Sequence, residues 1–206
     1  MSKIKVLIVD DHAILRMGLA SLLSAKEGIE VIGDAEDGKS AIRLTKKLKP
    51  DVVIMDLMMP EMDGVEATKR LLGEMPKAKV LILTTFGASD GIANALAAGA
   101  KGAVMKSVAF ADLVEAIRTV ASGGEYVSDE LKRILASDPP IPALSPRQQE
   151  ILESMARGLS NAEIGRQLGI TADMVREHSV ELFAKLRAAN RTEAVAIALR
   201  KHLLKI

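Results

Sequence analysis

Along roughly the first 120 residues, short apolar runs alternate with stretches of helical period. The runs at residues 6–9, 31–32, 52–55, 80–83 and 103–105 are brief and free of charge, as strands buried on both faces should be. Between them, Leu15, Leu19, Leu22 and Leu23 fall on one side of a helix, and Leu113, Ala116, Ile117 and Val120 do so after the fifth run. This β-α alternation predicts a doubly wound, five-stranded parallel sheet, whose ligands sit beyond the carboxyl ends of the strands.

The pattern breaks at Ser122, Gly123 and Gly124. Residues 123–143, with Asp138, Pro139, Pro140, Ile141 and Pro142 near the end, read as a linker holding one short helix around residues 131–135. Beyond it no strand is predicted. Ser145 caps a helix that has Pro146 first and Gln148 closing a capping box; Ser160 and Glu163 repeat that device for a second helix. Gly169 stops the second helix, Thr171 opens a third, and Asn190 with Glu193 opens a fourth. A small all-α unit of four helices is expected.

With 206 residues, 49% of them hydrophobic and 27% charged, the chain has material for two buried cores. It has no cysteine, which excludes disulfides, thiolate zinc sites and a cysteine nucleophile. The apolar run at residues 6–9 ends at Asp10 and Asp11, too short for a signal peptide, and no stretch nears the roughly 18 apolar residues of a membrane span. A cytoplasmic protein without membrane contact is expected. The net charge is +1, but residues 143–206 carry 10 Lys and Arg against 7 Asp and Glu, a mildly basic balance compatible with nucleic acid.

Asp10 and Asp11 follow the first strand and Asp56 the third, so a parallel sheet gathers three carboxylates at one edge. Such charges repel unless a cation sits among them, and oxygen ligands without His or Cys suit Mg²⁺. His12, His178 and His202 lack metal spacing, so zinc is not expected. Thr84 and Lys106 end the fourth and fifth strands. A hydroxyl, an ammonium and a cation around one carboxylate are what an aspartyl phosphate requires.

Asp10-Asp11, the segment Met55-Asp56-Leu57-Met58-Met59-Pro60-Glu61-Met62-Asp63-Gly64, Thr84 and Lys106 resemble, in order and spacing, the signature of response-regulator receiver domains. The resemblance implies a flavodoxin-like receiver over residues 1–122. In it Asp56 would be the phosphoacceptor and Asp11, Asp56 and the Met58 carbonyl would ligate Mg²⁺, with Asp10 acting through an outer shell. It further implies that Lys106 and Thr84 hold the phosphoryl oxygens and that a sensor histidine kinase is the donor. One departure stands out: Ala103 occupies the place of the usual switch aromatic, so coupled movement of Thr84 and a ring cannot operate in its usual form.

Residues 144–206 contain Leu144-Ser145-Pro146-Arg147, Gly158-Leu159-Ser160-Asn161, Val175-Arg176, His178, Lys185-Leu186 and Asn190-Arg191-Thr192-Glu193-Ala194. These resemble the LuxR-type helix-turn-helix of NarL/FixJ regulators. The third helix would enter the major groove of double-stranded DNA, burying Val175, Ser179, Leu182 and Leu186. Arg176, Glu177 and Val180 would face the bases, with His178, Lys185, Ser160 and Asn161 as further DNA contacts. A homodimer is implied, with residues 190–201 as its expected interface. Ala162 and Met174 replace residues that are often Lys and Thr in relatives, and Asp173, Glu177 and Glu181 add negative charge. A second reading therefore stays open, in which the C-terminal unit is chiefly a protein-interaction module. A hydrolase of the haloacid dehalogenase type is disfavoured, since it needs Asp-x-Asp after the first strand.

Overall fold

A computed structural model describes residues 3–85, 89–138, 140–142, 144–201 and 203–204. Pro139 and His202 lie outside this set. The chain divides into two compact units, Met1–Pro139 and Pro140–Ile206.

The first unit runs β1 (Ile4–Val9), α1 (Ala13–Ser24), β2 (Ile29–Ala35), α2 (Gly38–Leu48), β3 (Val52–Asp56), α3 (Gly64–Glu74), β4 (Val80–Thr84), α4 (Ser89–Ala97), β5 (Gly102–Met105), α5 (Phe110–Ala121), β6 (Tyr126–Val127) and α6 (Asp129–Ser137). All strands pair in parallel in the order β2-β1-β3-β4-β5-β6. Every residue of β3, β4 and β5 is buried, which is why these strands read as unbroken apolar runs. Successive side chains alternate between two core layers. Leu7, Val9, Val53, Met55, Ile82 and Ala103 join Ala41, Ala67, Leu71, Ile92 and Leu131 on one face, under α2, α3, α4 and α6. Val6, Ile8, Ile54, Leu81 and Val104 meet Leu23, Leu113, Ile117 and Val120 of α1 and α5 on the other.

The chain winds outward in opposite senses from β1 and β3, so a crevice opens beyond their carboxyl ends. That crevice receives the acidic residues.

The five-stranded parallel core is as expected, with a short sixth strand added at its edge. One expectation is corrected: much of residues 123–143 is folded onto the first unit rather than serving as a linker. β6 has only two residues, too few to show a period. Its ladder continues through Tyr126 N donating to Lys101 O at 3.0 Å and Ser128 N to Ala103 O at 3.1 Å. Gly102 permits the approach, since a methyl group there would collide with the Tyr126 carbonyl oxygen. The helix expected at residues 131–135 extends over Asp129–Ser137, burying Leu131 completely, and Ser89 Oγ of α4 donates to Asp138 Oδ2 at 2.7 Å. On α1, Leu22 was expected in the apolar stripe but is 55% exposed.

The second unit contains α7 (Pro146–Ala156), α8 (Asn161–Leu168), α9 (Ala172–Leu186) and α10 (Arg191–Arg200). Its helices start where the capping residues predict. Ser145 with Gln148 and Ser160 with Glu163 form complete capping boxes, Thr171 accepts from Met174 N and Asn190 from Glu193 N. Gly169, at φ 67°, ends α8 in the left-handed conformation. Ile151, Leu152, Ile164, Val175, Leu182, Leu186 and Ala194 make the core.

Because Leu131 is fully buried in the first unit's core, Leu131→Ala should destabilise that unit by about 2–5 kcal/mol in urea unfolding. A change below about 0.5 kcal/mol would mean that α6 is a passive linker.

Candidate phosphoacceptor site and DNA-binding surface

Three strand ends supply the acidic site. Asp10 directly follows β1, and its amide donates to Ala35 O at 3.1 Å, which extends the β1–β2 ladder and fixes where the carboxylate emerges. Asp56 is the last residue of β3, and Lys106 directly follows β5, with its amide donating to Thr84 O at 2.6 Å. Asp10 and Asp56 are 1% and 2% exposed. Lys106 Nζ lies 2.6 Å from Asp10 Oδ2 and 2.9 Å from Asp56 Oδ2, one ammonium between two buried carboxylates. Asp56 Oδ1 also accepts from Met58 N at 3.3 Å.

The loop after β3 is shaped to leave Asp56 in place. Gly64 N donates to Leu57 O at 2.9 Å, and a methyl group on Gly64 would collide with the Asp56 carbonyl oxygen. Asp63 caps α3 by accepting from Glu66 N at 2.8 Å. Met59 and Met62 are buried as packing residues, whereas the Met58 side chain is 45% exposed.

Burial pushes the Asp56 carboxyl above its ordinary range despite Lys106, and the neighbouring Asp10 charge adds to the rise. For Lys106, burial disfavours the charged form, but hydrogen bonds to Asp10 and Asp56 outweigh it and raise its pKa. Both directions have one origin. The lysine has two anionic partners, while each carboxylate has only a share of one cation and little water.

Asp10, Asp11, His12 and Asp56 each offer a ligand atom within 4.8 Å of the others. Asp11 Oδ1 is buried without a hydrogen bond, whereas Asp10 Oδ2 has Lys106 at 2.6 Å. An orphaned anionic oxygen of this kind fits a divalent cation. His12 was not expected in the cluster; its place beside Asp11 in sequence was the only available signal. Thr84 is fully buried at the end of β4, and its hydroxyl donates to Thr85 O at 3.2 Å rather than to Asp56.

On the second unit, α9 buries Val175, Ser179, Leu182 and Leu186 and exposes Arg176, Glu177 and Val180 on its other side. Val180 is 64% exposed, unusual for an apolar side chain. Arg176 lies 3.7 Å from Asp173, an exposed pair of little energetic weight. His178 is half-buried. Lys185 Nζ donates to Gln148 Oε1 of α7 at 2.8 Å, so this predicted DNA contact is also tied to the domain interior. Ser160 is exposed but holds Glu163 at 2.6 Å in its capping box, and Asn161, half-buried, begins α8.

Residues 6–118 match the family of response regulator receiver domains, and residues 142–198 match bacterial regulatory proteins of the luxR family. The chain belongs to the response regulators. This response regulator is 39% identical to the transcriptional regulatory protein LiaR of Bacillus subtilis over 98% of the chain and 99% of LiaR. It is 37% identical to response regulator protein VraR of Staphylococcus aureus, again over 98% and 99% of the two chains. Among solved structures, RcsB of Salmonella enterica serovar Typhimurium, bound to a promoter in the presence of a phosphomimetic, superposes with a TM-score of 0.72. That match has 26% identity and covers 97% of this chain and 99% of RcsB. The response regulator ChrA of a heme-sensing system superposes with a TM-score of 0.60 at 33% identity, covering 99% and 100% of the chains.

Removing the shared cation isolates its role. Lys106→Met leaves Asp10 and Asp56 buried without a countercharge and should lower stability near pH 7 by about 3 kcal/mol in urea unfolding. Burial raises the Asp56 pKa in the fold and loss of Lys106 removes the pull against that rise, so as the pH falls the folded variant takes up a proton before the unfolded chain does and the deficit should shrink. A deficit independent of pH would assign the lysine a packing role alone.

Proposed function

We propose that this response regulator is a transcription factor switched by phosphorylation of Asp56. The observation that carries the reading is the convergence of Asp10, Asp56 and Lys106 from three strand ends, with the ammonium within 2.9 Å of both carboxylates. One Asp56 oxygen attacks the phosphorus of a phosphohistidine on a sensor kinase, the P–N bond breaks, and the phosphoryl group passes to Asp56. Lys106 moves from carboxylate to phosphoryl oxygens, and Thr84 turns its hydroxyl from Thr85 toward them. Asp11, Asp56 and the Met58 carbonyl would hold Mg²⁺, with Asp10 supporting it from the outer shell. When bound, the ion would supply positive charge to offset that of the transferring group. The same groups permit dephosphorylation, so the protein is a regulator rather than a turnover enzyme.

The C-terminal unit is the output. α9 would lie in the major groove with Arg176 toward guanine, Glu177 toward a cytosine amino group and Val180 toward a thymine methyl. Ser160, Asn161 and His178 would stand against the backbone, with Lys185 joining them on release from Gln148. No helix among the described residues is long and apolar enough to cross a membrane.

Function on DNA implies a homodimer, formed on phosphorylation or on the operator. The surface that favours it is α1, where Ile14 is 88%, Met17 73% and Leu22 55% exposed. α10, expected as the interface, buries Ala194 and Ala198 and has none of the chain's large exposed apolar side chains among the described residues.

A second reading, a protein-interaction module with weak DNA affinity, draws support from Asp173, Glu177 and Glu181 on α9 and from the Asp173–Arg176 pair.

Asp56→Ala should abolish labelling by acetyl phosphate in Mg²⁺; labelling that persists in the variant would place the acceptor elsewhere. For the wild type, labelling should weaken as the pH falls toward the raised Asp56 pKa, because only the carboxylate is nucleophilic. Arg176→Ala should cost about 1–3 kcal/mol of specific DNA affinity and relax preference at one base pair. If the wild type instead binds promoter fragments weakly and without loss as salt rises, the interaction-module reading stands.

A further inference from the structure

His12 is the N-cap residue of α1, with φ −85° and ψ 101°, yet its side chain makes no capping bond. The imidazole turns to the acidic cluster instead: Nδ1 lies 2.7 Å from Asp11 Oδ1 and 3.3 Å from Asp10 Oδ1. The shorter contact is an ion pair when the ring is protonated; when the ring is neutral no N–H is aligned toward Asp11 Oδ1, which is buried without a hydrogen bond. Two electron-rich atoms held this close, with no proton well placed between them, are stabilised by a cation that both can ligate. In an octahedral site with bonds of about 2.1 Å, neighbouring ligand atoms stand about 3.0 Å apart, close to the 2.7 Å between His12 Nδ1 and Asp11 Oδ1.

The ring meets the other requirements. Ligation by Nδ1 calls for the neutral tautomer with its proton on Nε2, and a side chain 71% exposed leaves Nε2 open to water. The four candidate ligand atoms lie within 4.8 Å of one another, a span that shifts of a few tenths of an ångström close around one ion.

We propose that His12 Nδ1 is a direct ligand of the divalent cation, giving the site a mixed nitrogen and oxygen donor set that favours a first-row transition ion such as Mn²⁺ over Mg²⁺. Carboxylates serve both ions, but imidazole is a ligand of transition metals, and Mg²⁺ keeps oxygen and water. The proposal rests on the reading of Asp11 and Asp56 as a cation site and adds the residue that would set its selectivity.

The test uses the full chain, stripped with chelator and titrated with Mn²⁺ alone, then Mg²⁺ alone. Pulsed EPR of bound Mn²⁺ should show coupling to a directly coordinated ¹⁴N. His12→Ala and His12→Asn, the latter preserving a good N-cap, should both lose that coupling and bind Mn²⁺ about tenfold more weakly, with Mg²⁺ affinity changed less than about threefold. Saturable Mn²⁺ binding that depends on Asp56 but lacks nitrogen coupling would overturn the role of His12 and leave the carboxylate site standing. Coupling that survives in both variants would assign the nitrogen to another residue and overturn the proposal equally. An absence of saturable binding by either ion would defeat both this proposal and the cation site beneath it.

Discussion

Everything at the carboxyl edge of this sheet answers to one electrostatic constraint: like charges brought out of water must find a countercharge. Asp10 and Asp56 are almost fully buried, and the lysine that serves them comes from β5, two strands from β3 in the order β3-β4-β5. With neighbouring strands about 4.8 Å apart, the cation must cross nearly 10 Å of sheet edge, and a four-carbon stem can do so where a shorter side chain cannot. The residue in between, Thr84, is small enough to leave that path open. Reach, rather than charge alone, explains why lysine follows the fifth strand.

Burial raises the Asp56 pKa against the pull of its partner, so pairing with Lys106 offsets only part of the cost of burying that carboxylate, and the surroundings must hold the site in place. Those surroundings are two apolar layers, one on each face of the sheet, to which every strand contributes alternate residues. Close backbone packing at Gly64 keeps the loop after β3 against Asp56. Ala103 is fully buried in the layer that includes Leu131 of α6, and β5 carries no aromatic ring.

The helical unit divides its labour by helix face. α9 buries one side through Val175, Ser179, Leu182 and Leu186 and leaves Arg176, Glu177 and Val180 outward. Val180 stands among these outward residues, 64% exposed. Lys185 shows the opposite tendency, since its bond to Gln148 braces α9 against α7.

The chain's local grammar was legible from its residues. Unbroken apolar runs encode buried parallel strands, and Ser145, Ser160, Thr171 and Asn190 encode helix starts, because these patterns depend on neighbours within a few positions. The order and spacing of Asp10, Asp11, Asp56, Thr84 and Lys106 at separate strand ends carried the receiver resemblance. Tertiary structure alone decided the rest. A two-residue strand has no period to read, so β6 and the docking of Leu131 emerge only when β5 offers them an edge and a core. The turn of the His12 ring toward Asp11, the engagement of Thr84 with Thr85 and the bond from Lys185 to Gln148 are choices of rotamer. Such choices follow from which atoms packing brings within reach, and spacing along the chain does not record that.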